Sequence, residues 1–169
     1  LAKKMTADID EMEKMLNDYL QYAKSQSEES STKIDINNMM QEMLKNYDKN
    51  RCELVSIETI VIDGRKNLIK RCIQNIIDNA KRYASKIHVD VNSNDEECFI
   101  SISDDGPGIP EKNYEDVFKP FFTLDSSRKK LKGESGLGMT IARDIIRSHG
   151  GEIKLSKSIM GGLKTTIDL

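Results

Sequence analysis

The stretch SISDDGPGIP, residues 101–110, constrains the chain more than any other. Ile100 and Ile102 alternate with Ser101 and Ser103, a period of two that predicts a strand with one face buried. The strand ends in two adjacent acids, Asp104 and Asp105, and passes directly into a turn containing Gly106, Pro107 and Gly108. Glycine reaches positive φ and lets other atoms come close to the backbone, and proline fixes the turn. Two readings are open. An aspartate here can hydrogen-bond its own backbone in an ordinary β-turn. Alternatively, a carboxylate beside bare backbone can receive donors from a ligand.

The chain has 169 residues, which suits one globular domain and an appendage. Its 26 basic and 28 acidic residues nearly cancel, leaving a net charge of −2. That balance argues against nucleic acid as a partner, which calls for a strong basic excess. Cys52, Cys72 and Cys98 have no metal-ligand spacing, and their odd number points to reduced thiols in a cytosolic setting. No apolar run is long enough to cross a membrane and no signal peptide opens the chain. Because the first residue is Leu1, the expectation is a fragment, with any membrane anchor in segments outside it.

Residues 1–25 predict one helix. Met5, Ile9, Met12, Leu16, Tyr19 and Ala23 recur at spacings of four and three, the seam of a coiled coil. A lone helix cannot bury that stripe, so a partner helix is expected. SQSEESSTK, residues 25–33, lacks apolar residues and reads as a linker. The boundaries assigned are a helix over 1–26, a linker over 27–33 and a main domain over 34–169. IDINNMMQEMLKNY predicts a short strand and then a helix capped by Asn37 or Asn38, burying Met39, Met40, Met43, Leu44 and Tyr47. ELVSIETIVID predicts one or two strands turning near Glu58 and Thr59. RKNLIKRCIQNIIDNAKRYA predicts a long helix with Ile69, Cys72, Ile73, Ile76, Ile77 and Ala80 on its core face. KIHVDV and ECFISIS are alternating strands, GLGMTIARDIIRSHGG is a helix between glycines, and EIKLSK with GLKTTIDL closes the chain as a hairpin through Met160, Gly161 and Gly162. The predicted class is α+β: a two-layer sandwich with one largely antiparallel sheet and helices on one face.

Several polar segments combine into a candidate nucleotide site. Asn75, Asn79 and Arg82 fall at i, i+4 and i+7 of the long helix, beside its apolar face, and Tyr83 flanks them. Asparagine is a mediocre helix former. A carboxamide oxygen is a hard neutral ligand that suits Mg²⁺ shared with phosphates. Arg82 can meet a phosphate, and Tyr83 can pack on a flat ring. Gly136 and Gly138 open a helix whose free N–H groups and dipole favour phosphate. Between the glycine clusters, Phe118, Phe121 and Phe122 would anchor a flap, and Arg128, Lys129, Lys130 and Lys132 would close over a polyphosphate. Five of the 10 glycines lie between residues 106 and 138. An irregular loop of about twenty-five residues there is uncommon unless it is functional or disordered. Taken singly, each segment also reads as solvated surface. Taken together, Asp105 accepts from an adenine amino group, Gly106 and Gly108 make room for the base, Asn75 and Asn79 hold the metal, and the second glycine turn holds the phosphates.

These segments resemble the sensor histidine kinases of the Bergerat-fold (GHKL) ATPase superfamily. NIIDNAKRYA matches the N box, DDGPGIP the first glycine box, VFKPFF the phenylalanine box and GESGLGMTIA the second glycine box, in the family's order. DIDEMEKMLNDYLQYAK is similar to the second helix of a dimerisation and phosphotransfer hairpin, in the manner of the EnvZ-type osmosensor kinases. The resemblance implies a mixed, mostly antiparallel sheet of about five strands on three helices, preceded by one coiled-coil helix. It implies ATP and Mg²⁺ as cofactors, phosphoryl transfer to a histidine, relay to an aspartate of a response regulator, homodimerisation through the hairpin helices, and a cytoplasmic place in an inner-membrane protein. It assigns Asn79, assisted by Asn75, to Mg²⁺, Arg82 to phosphate, Tyr83 and Asp105 to adenine, and Arg128 with the Gly136–Gly138 turn to phosphates. Ile109, Phe118, Ser135, Leu137 and Met139 join the cofactor-binding set.

The departures matter equally. The family's acceptor histidine, followed by an acid and then an arginine and a proline, has no counterpart; His88 and His149 read as structural or surface residues. The chain is therefore expected to bind ATP without labelling itself. Thr123 stands where relatives carry a lid arginine, and Glu134 where many carry glycine. Three rivals are a superfamily ATPase, a serine kinase of the anti-sigma-factor type and a non-catalytic nucleotide-sensing module. The ATPases place a glutamate at the first N-box position to polarise water; here that residue is Asn75, which is no general base.

Overall fold

A computed structural model describes residues 2–56, 59–94, 97–124 and 136–169, without some side chains of the first helix. In chain order the elements are α1 (Ala2–Glu28), β1 (Thr32–Asp35), α2 (Ile36–Leu44), β2 (Cys52–Ser56), β3 (Val61–Gly64), α3 (Lys66–Tyr83), β4 (Ile87–Ser93), β5 (Cys98–Asp104), two short 3₁₀ turns (Glu111–Asn113 and Asp116–Phe118), α4 (Gly138–Arg147), β6 (Glu152–Lys157) and β7 (Leu163–Asp168).

Five strands form one sheet in the order β2-β4-β5-β7-β6. Only β2 runs parallel to its neighbour; the other pairs are antiparallel. The α+β class with a mixed, mostly antiparallel sheet is as expected. β1 and β3 form a separate antiparallel ribbon, with Ile34 opposite Ile62. The ELVSIETIVID stretch thus divides between two sheets, because each half finds a non-local partner.

Helical periodicity sets the core. α3 buries Leu68, Ile69, Cys72, Ile73, Ile76, Ile77 and Ala80 against β5 and α4, where Ile100, Ile102, Ile141, Ile145 and Ile146 are also buried. Each such aliphatic side chain contributes about 2 kcal/mol through burial. Helix α2 buries Met39, Met40 and Met43. Its cap is Asp35, which accepts from Asn38 N, so neither Asn37 nor Asn38 is the capping residue. The helix begins at Ile36, one residue before the asparagines.

Helix α1 has two apolar stripes. Ile9, Met12, Leu16 and Tyr19, from the predicted seam, are more than half exposed. Met15 and Tyr22 form a second stripe, which packs on the domain, and Arg71 lies 5.9 Å from the Tyr22 ring centre. The helix runs to Glu28 and β1 starts at Thr32, so three residues join them, where composition places a linker over 27–33. One of the three, Glu29, accepts from Asn67 N at 2.7 Å and Leu68 N at 3.2 Å. It caps α3, because Arg65 at the N-cap position supplies no side-chain cap.

The three cysteines are free and buried. Among the described residues, no helix is long and apolar enough to cross a membrane.

Candidate nucleotide site

The α3 stripe, the turn after β5 and the start of α4 come together. Asn75 is half-buried and its Nδ2 donates to Gly138 O at 3.1 Å, tying α3 to the first residue of α4. Four residues on, Asn79 is half-buried, and its carboxamide has no partner among the described residues. Arg82 and Tyr83 are exposed at the end of α3. The Tyr83 carbonyl lies against the Gly106 turn: a Cβ on Gly106 would stand 3.0 Å from Tyr83 O and 3.0 Å from Asp104 Oδ1.

The two acids have separate environments. Asp104 is 7% exposed. Its Oδ1 accepts from Gly106 N at 2.8 Å and Leu163 N at 3.2 Å. Both bonds fall on one oxygen, which leaves Oδ2 for another donor. Burial pushes its pKa up, against the two N–H donors, and the Asp105 charge adds to the rise. Asp105 instead turns to the chain: Oδ1 accepts from Ser85 N and Lys86 N, both at 2.8 Å. These and neighbouring backbone donors hold its pKa down. Asp105, expected at the adenine amine, thus spends Oδ1 on the chain, and the acid on the inner side is Asp104.

Both glycines also have reasons within the fold. The space at Gly106 is taken by the protein itself, and Gly108 is required by its φ of 70°. Gly162, in the β6–β7 turn, is the tightest of this group: a Cβ there would lie 2.1 Å from Asp104 Oδ1. Ile109 is half-buried in the same turn region.

The other wall is built on α4. Leu137 is buried at the N-cap position, where no side chain caps the helix, so first-turn N–H groups remain available near Gly138 and the half-buried Met139. Thr140 Oγ1 donates to Phe118 O at 2.9 Å, and the Arg143 guanidinium lies 4.4 Å from the ring centre of Phe118, which is buried. Arg143 also pairs with Glu115 at 2.8 Å and Glu152 at 3.3 Å. Phe121 does not anchor through its ring, which is 61% exposed. Its backbone does the work at φ 64°, donating to Gly136 O at 3.0 Å, and a Cβ on Gly136 would lie 2.8 Å from Phe121 Cα. Arg128 and Ser135, with Lys129, Lys130, Lys132 and Glu134, lie outside the described residues.

His149 is locked in the fold. A carbonyl can only accept, so Nδ1 donates to Ile145 O at 2.7 Å and Nε2 accepts from Arg65 N at 3.1 Å. His88 stands 3.3 Å from Glu53 on the sheet. Among the described residues, no cluster of His, Cys, Asp and Glu could hold a metal ion. Neutral carboxamide oxygens are the available hard donors, and Asn79 fits an Mg²⁺ shared with phosphates.

The sequence profile of the family described as "Histidine kinase-, DNA gyrase B-, and HSP90-like ATPase" matches residues 64–169. The chain is similar to the sensor histidine kinase GtrS of Pseudomonas aeruginosa, 33% identical over 172 residues covering 100% of this chain and 35% of the relative. It is also similar to the sensor histidine kinase CpxA of Escherichia coli, 28% identical over 175 residues, 98% of this chain and 38% of the relative. The chain thus spans little more than a third of the length of these curated relatives. In structure it is similar to the ATP binding domain of PrrB from Mycobacterium tuberculosis, with a TM-score of 0.69 and 24% identity over 83% of this chain and 96% of that one. The Acinetobacter baumannii histidine kinase AdeS gives a TM-score of 0.67 and 20% identity over 99% and 79%. At such identities the structural likeness speaks for the fold, and the profile reaches across α3, the acid turn and α4. The chain belongs to the histidine kinase-, DNA gyrase B- and HSP90-like ATPase family.

Proposed function

We propose that this chain is the nucleotide-binding catalytic portion of a two-component sensor histidine kinase. It binds Mg-ATP and passes the γ-phosphoryl group to a histidine on a dimerisation hairpin, for relay to an aspartate of a response regulator. The observation that carries this reading is the Asn79 carboxamide, half-buried without a partner among the described residues, on the stripe whose Asn75 is tied to the start of α4. The exposed α1 stripe suits a second copy of the hairpin. The relatives that match along this chain are named sensor histidine kinases.

In this reading the residues bind and orient rather than exchange protons. The oxygens of Asn79 and Asn75 hold Mg²⁺, which when bound offsets phosphate charge. First-turn N–H groups of α4 bind phosphate oxygens. Asp104 accepts from the adenine amino group, and Tyr83 borders the base. Asn75 offers no base for activating water, which favours transfer to an external nucleophile. Such transfer depends mainly on positioning and charge stabilisation. Both histidines are engaged elsewhere, so the acceptor is supplied by another segment.

The test is transfer in trans. A hairpin bearing the acceptor histidine, supplied as a separate polypeptide with γ-labelled Mg-ATP, should acquire an acid-labile label while the chain itself stays unlabelled. Phosphate release into water without transfer would favour the hydrolase reading and overturn this one.

Asp104 gives a pH prediction. Its raised pKa means that acidification neutralises it at a higher pH than an ordinary aspartate. Nucleotide affinity should therefore begin to fall above the usual carboxylate range. The folding contribution has the opposite sign: it is fully present below the ordinary aspartate pKa and is lost as pH rises through the raised value. Asp104→Asn should abolish this pH dependence of affinity and relax the preference for adenine over guanine, because an amide both donates and accepts. Titrations with ATP and GTP across pH check this; an unchanged profile in Asp104→Asn would remove Asp104 from base recognition.

A further inference from the structure

We infer that Arg51 and Asp105 are positioning residues that clamp the Ala84–Lys86 turn and thereby set where Tyr83 stands beside the nucleotide base. The inference deepens the proposed function and rests on it. Helix α3 ends at Tyr83 without a glycine: Ala84 is extended, at φ −119° and ψ 155°, and its N–H still bonds Ala80 O. An abrupt end of this kind exposes carbonyls that need donors. Arg51, in the turn before β2, supplies them: Nε donates to Ser85 O and Nη2 to Ala84 O, each at 3.2 Å. A cation at a helix C-terminus is also favoured by the helix dipole.

Asp105 holds the same turn from the other side. Its Oδ1 accepts from Ser85 N and Lys86 N at 2.8 Å, and its own N–H donates to Lys86 O at 3.2 Å. Arg51 is itself fixed to the sheet, since Ile87 N donates to Arg51 O at 2.7 Å. The carbonyls of residues 84, 85 and 86 and the amides of 85 and 86 are thus all bonded by these two residues. The clamped segment follows Tyr83 directly, and the Tyr83 carbonyl rests on Gly106, next to Asp105. A shift of the turn therefore moves Tyr83 relative to Asp104. Neither residue touches the nucleotide; each acts through α3.

Calorimetric and NMR titrations of the whole chain with Mg-ATP, adenosine and inorganic tripolyphosphate test this, on Asp105→Asn, Asp105→Ala and Arg51→Met. Asp105→Asn keeps the accepting oxygen and should stay within about twofold of the unaltered affinity for every probe. Asp105→Ala and Arg51→Met should weaken adenosine about tenfold and leave tripolyphosphate unchanged. Base-side loss with phosphate-side retention is a split that general destabilisation would not give. Equal weakening of both probes would overturn the inference, as would full affinity in Asp105→Ala. So would an Asp105→Asn variant that fails like alanine and loses adenine preference, which marks direct base contact. If Arg51→Met does not fold, the two Asp105 variants decide alone. Binding of no probe by the unaltered chain would overturn the nucleotide site itself, and this inference with it.

Discussion

Asn79→Ala is expected to raise the melting temperature slightly while lowering Mg-ATP affinity on the order of 100-fold, about 2.7 kcal/mol. Alanine is the better helix former by roughly 0.5 kcal/mol. The Asn79 carboxamide is half-buried and has no partner among the described residues, so its removal breaks no bond seen there. The residue costs the fold something and returns nothing to it, which is the pattern of a ligand-binding position. In the proposed function the loss of affinity would come from removing a hard oxygen ligand of an Mg²⁺ that the phosphates share. Its dependence on the ion is the sharpest check. Titration with ATP in excess chelator should show little difference between variant and unaltered chain, and the full difference should return with Mg²⁺. Equal loss under both conditions would mean that Asn79 contacts the nucleotide directly or shapes the pocket. Asn75 should behave differently, because its Nδ2 bonds Gly138 O and its loss loosens the α3–α4 junction as well.

Where periodicity governs, the sequence was readable. The core face of α3, the alternation of β5 and the closing hairpin are local patterns, and each is buried as read. What escaped was non-local or turned on a single residue of register. The β1–β3 ribbon depends on pairing between segments separated by α2 and β2. The Met15 and Tyr22 stripe of α1 was hidden because a helix with two apolar faces presents overlapping spacings, and the heptad reading took the one that is exposed.

The two acids are the instructive case. Period two places Asp104 on the same face as Cys98, Ile100 and Ile102, all of them buried, and puts Asp105, just past the end of β5, on the other row, where Phe99 and Ser101 are half-buried. Carried two residues further, the alternation that identified the strand also selects the inward acid. The plain turn reading was correct for Asp104 too, since its Oδ1 bonds Gly106 N two residues on. The bonds on Oδ1 leave Oδ2 for the ligand contact that the proposed function gives it. Arg51, Glu29 and Arg143 carried no local signal at all. Each acts on a segment more than twenty residues away, and an isolated charge in sequence does not say what it will cap or pair with.

Gly162→Ala should disable the site and destabilise the fold together, by about 3 kcal/mol, at the upper end for overpacking a tight position. Sequence alone cannot separate Gly161 from Gly162, and the two are glycines for opposite reasons. Gly161 has φ 106° and nothing within 4 Å of where a methyl group would stand, so it needs conformational freedom and has space. Gly162 is not in the left-handed region but has no space: its Cβ would fall 2.1 Å from Asp104 Oδ1, 2.6 Å from Gly106 N and 2.7 Å from Asp104 O. Two of those atoms are backbone and cannot swing aside. The Asp104 carboxylate must leave its bonds to Gly106 and Leu163, and the Gly162 N–H bond to Asp104 O must lengthen. Gly161→Ala, by contrast, meets only backbone strain, about 1–2 kcal/mol, because its methyl group would stand in open space although the next residue touches Asp104. Denaturant melts should therefore rank Gly162→Ala below Gly161→Ala, and nucleotide titrations should separate them further, with binding lost in the first and retained in the second. Retained affinity in a folded Gly162→Ala protein would show that the Asp104 carboxylate can be displaced without consequence, and would remove it from the floor of the site.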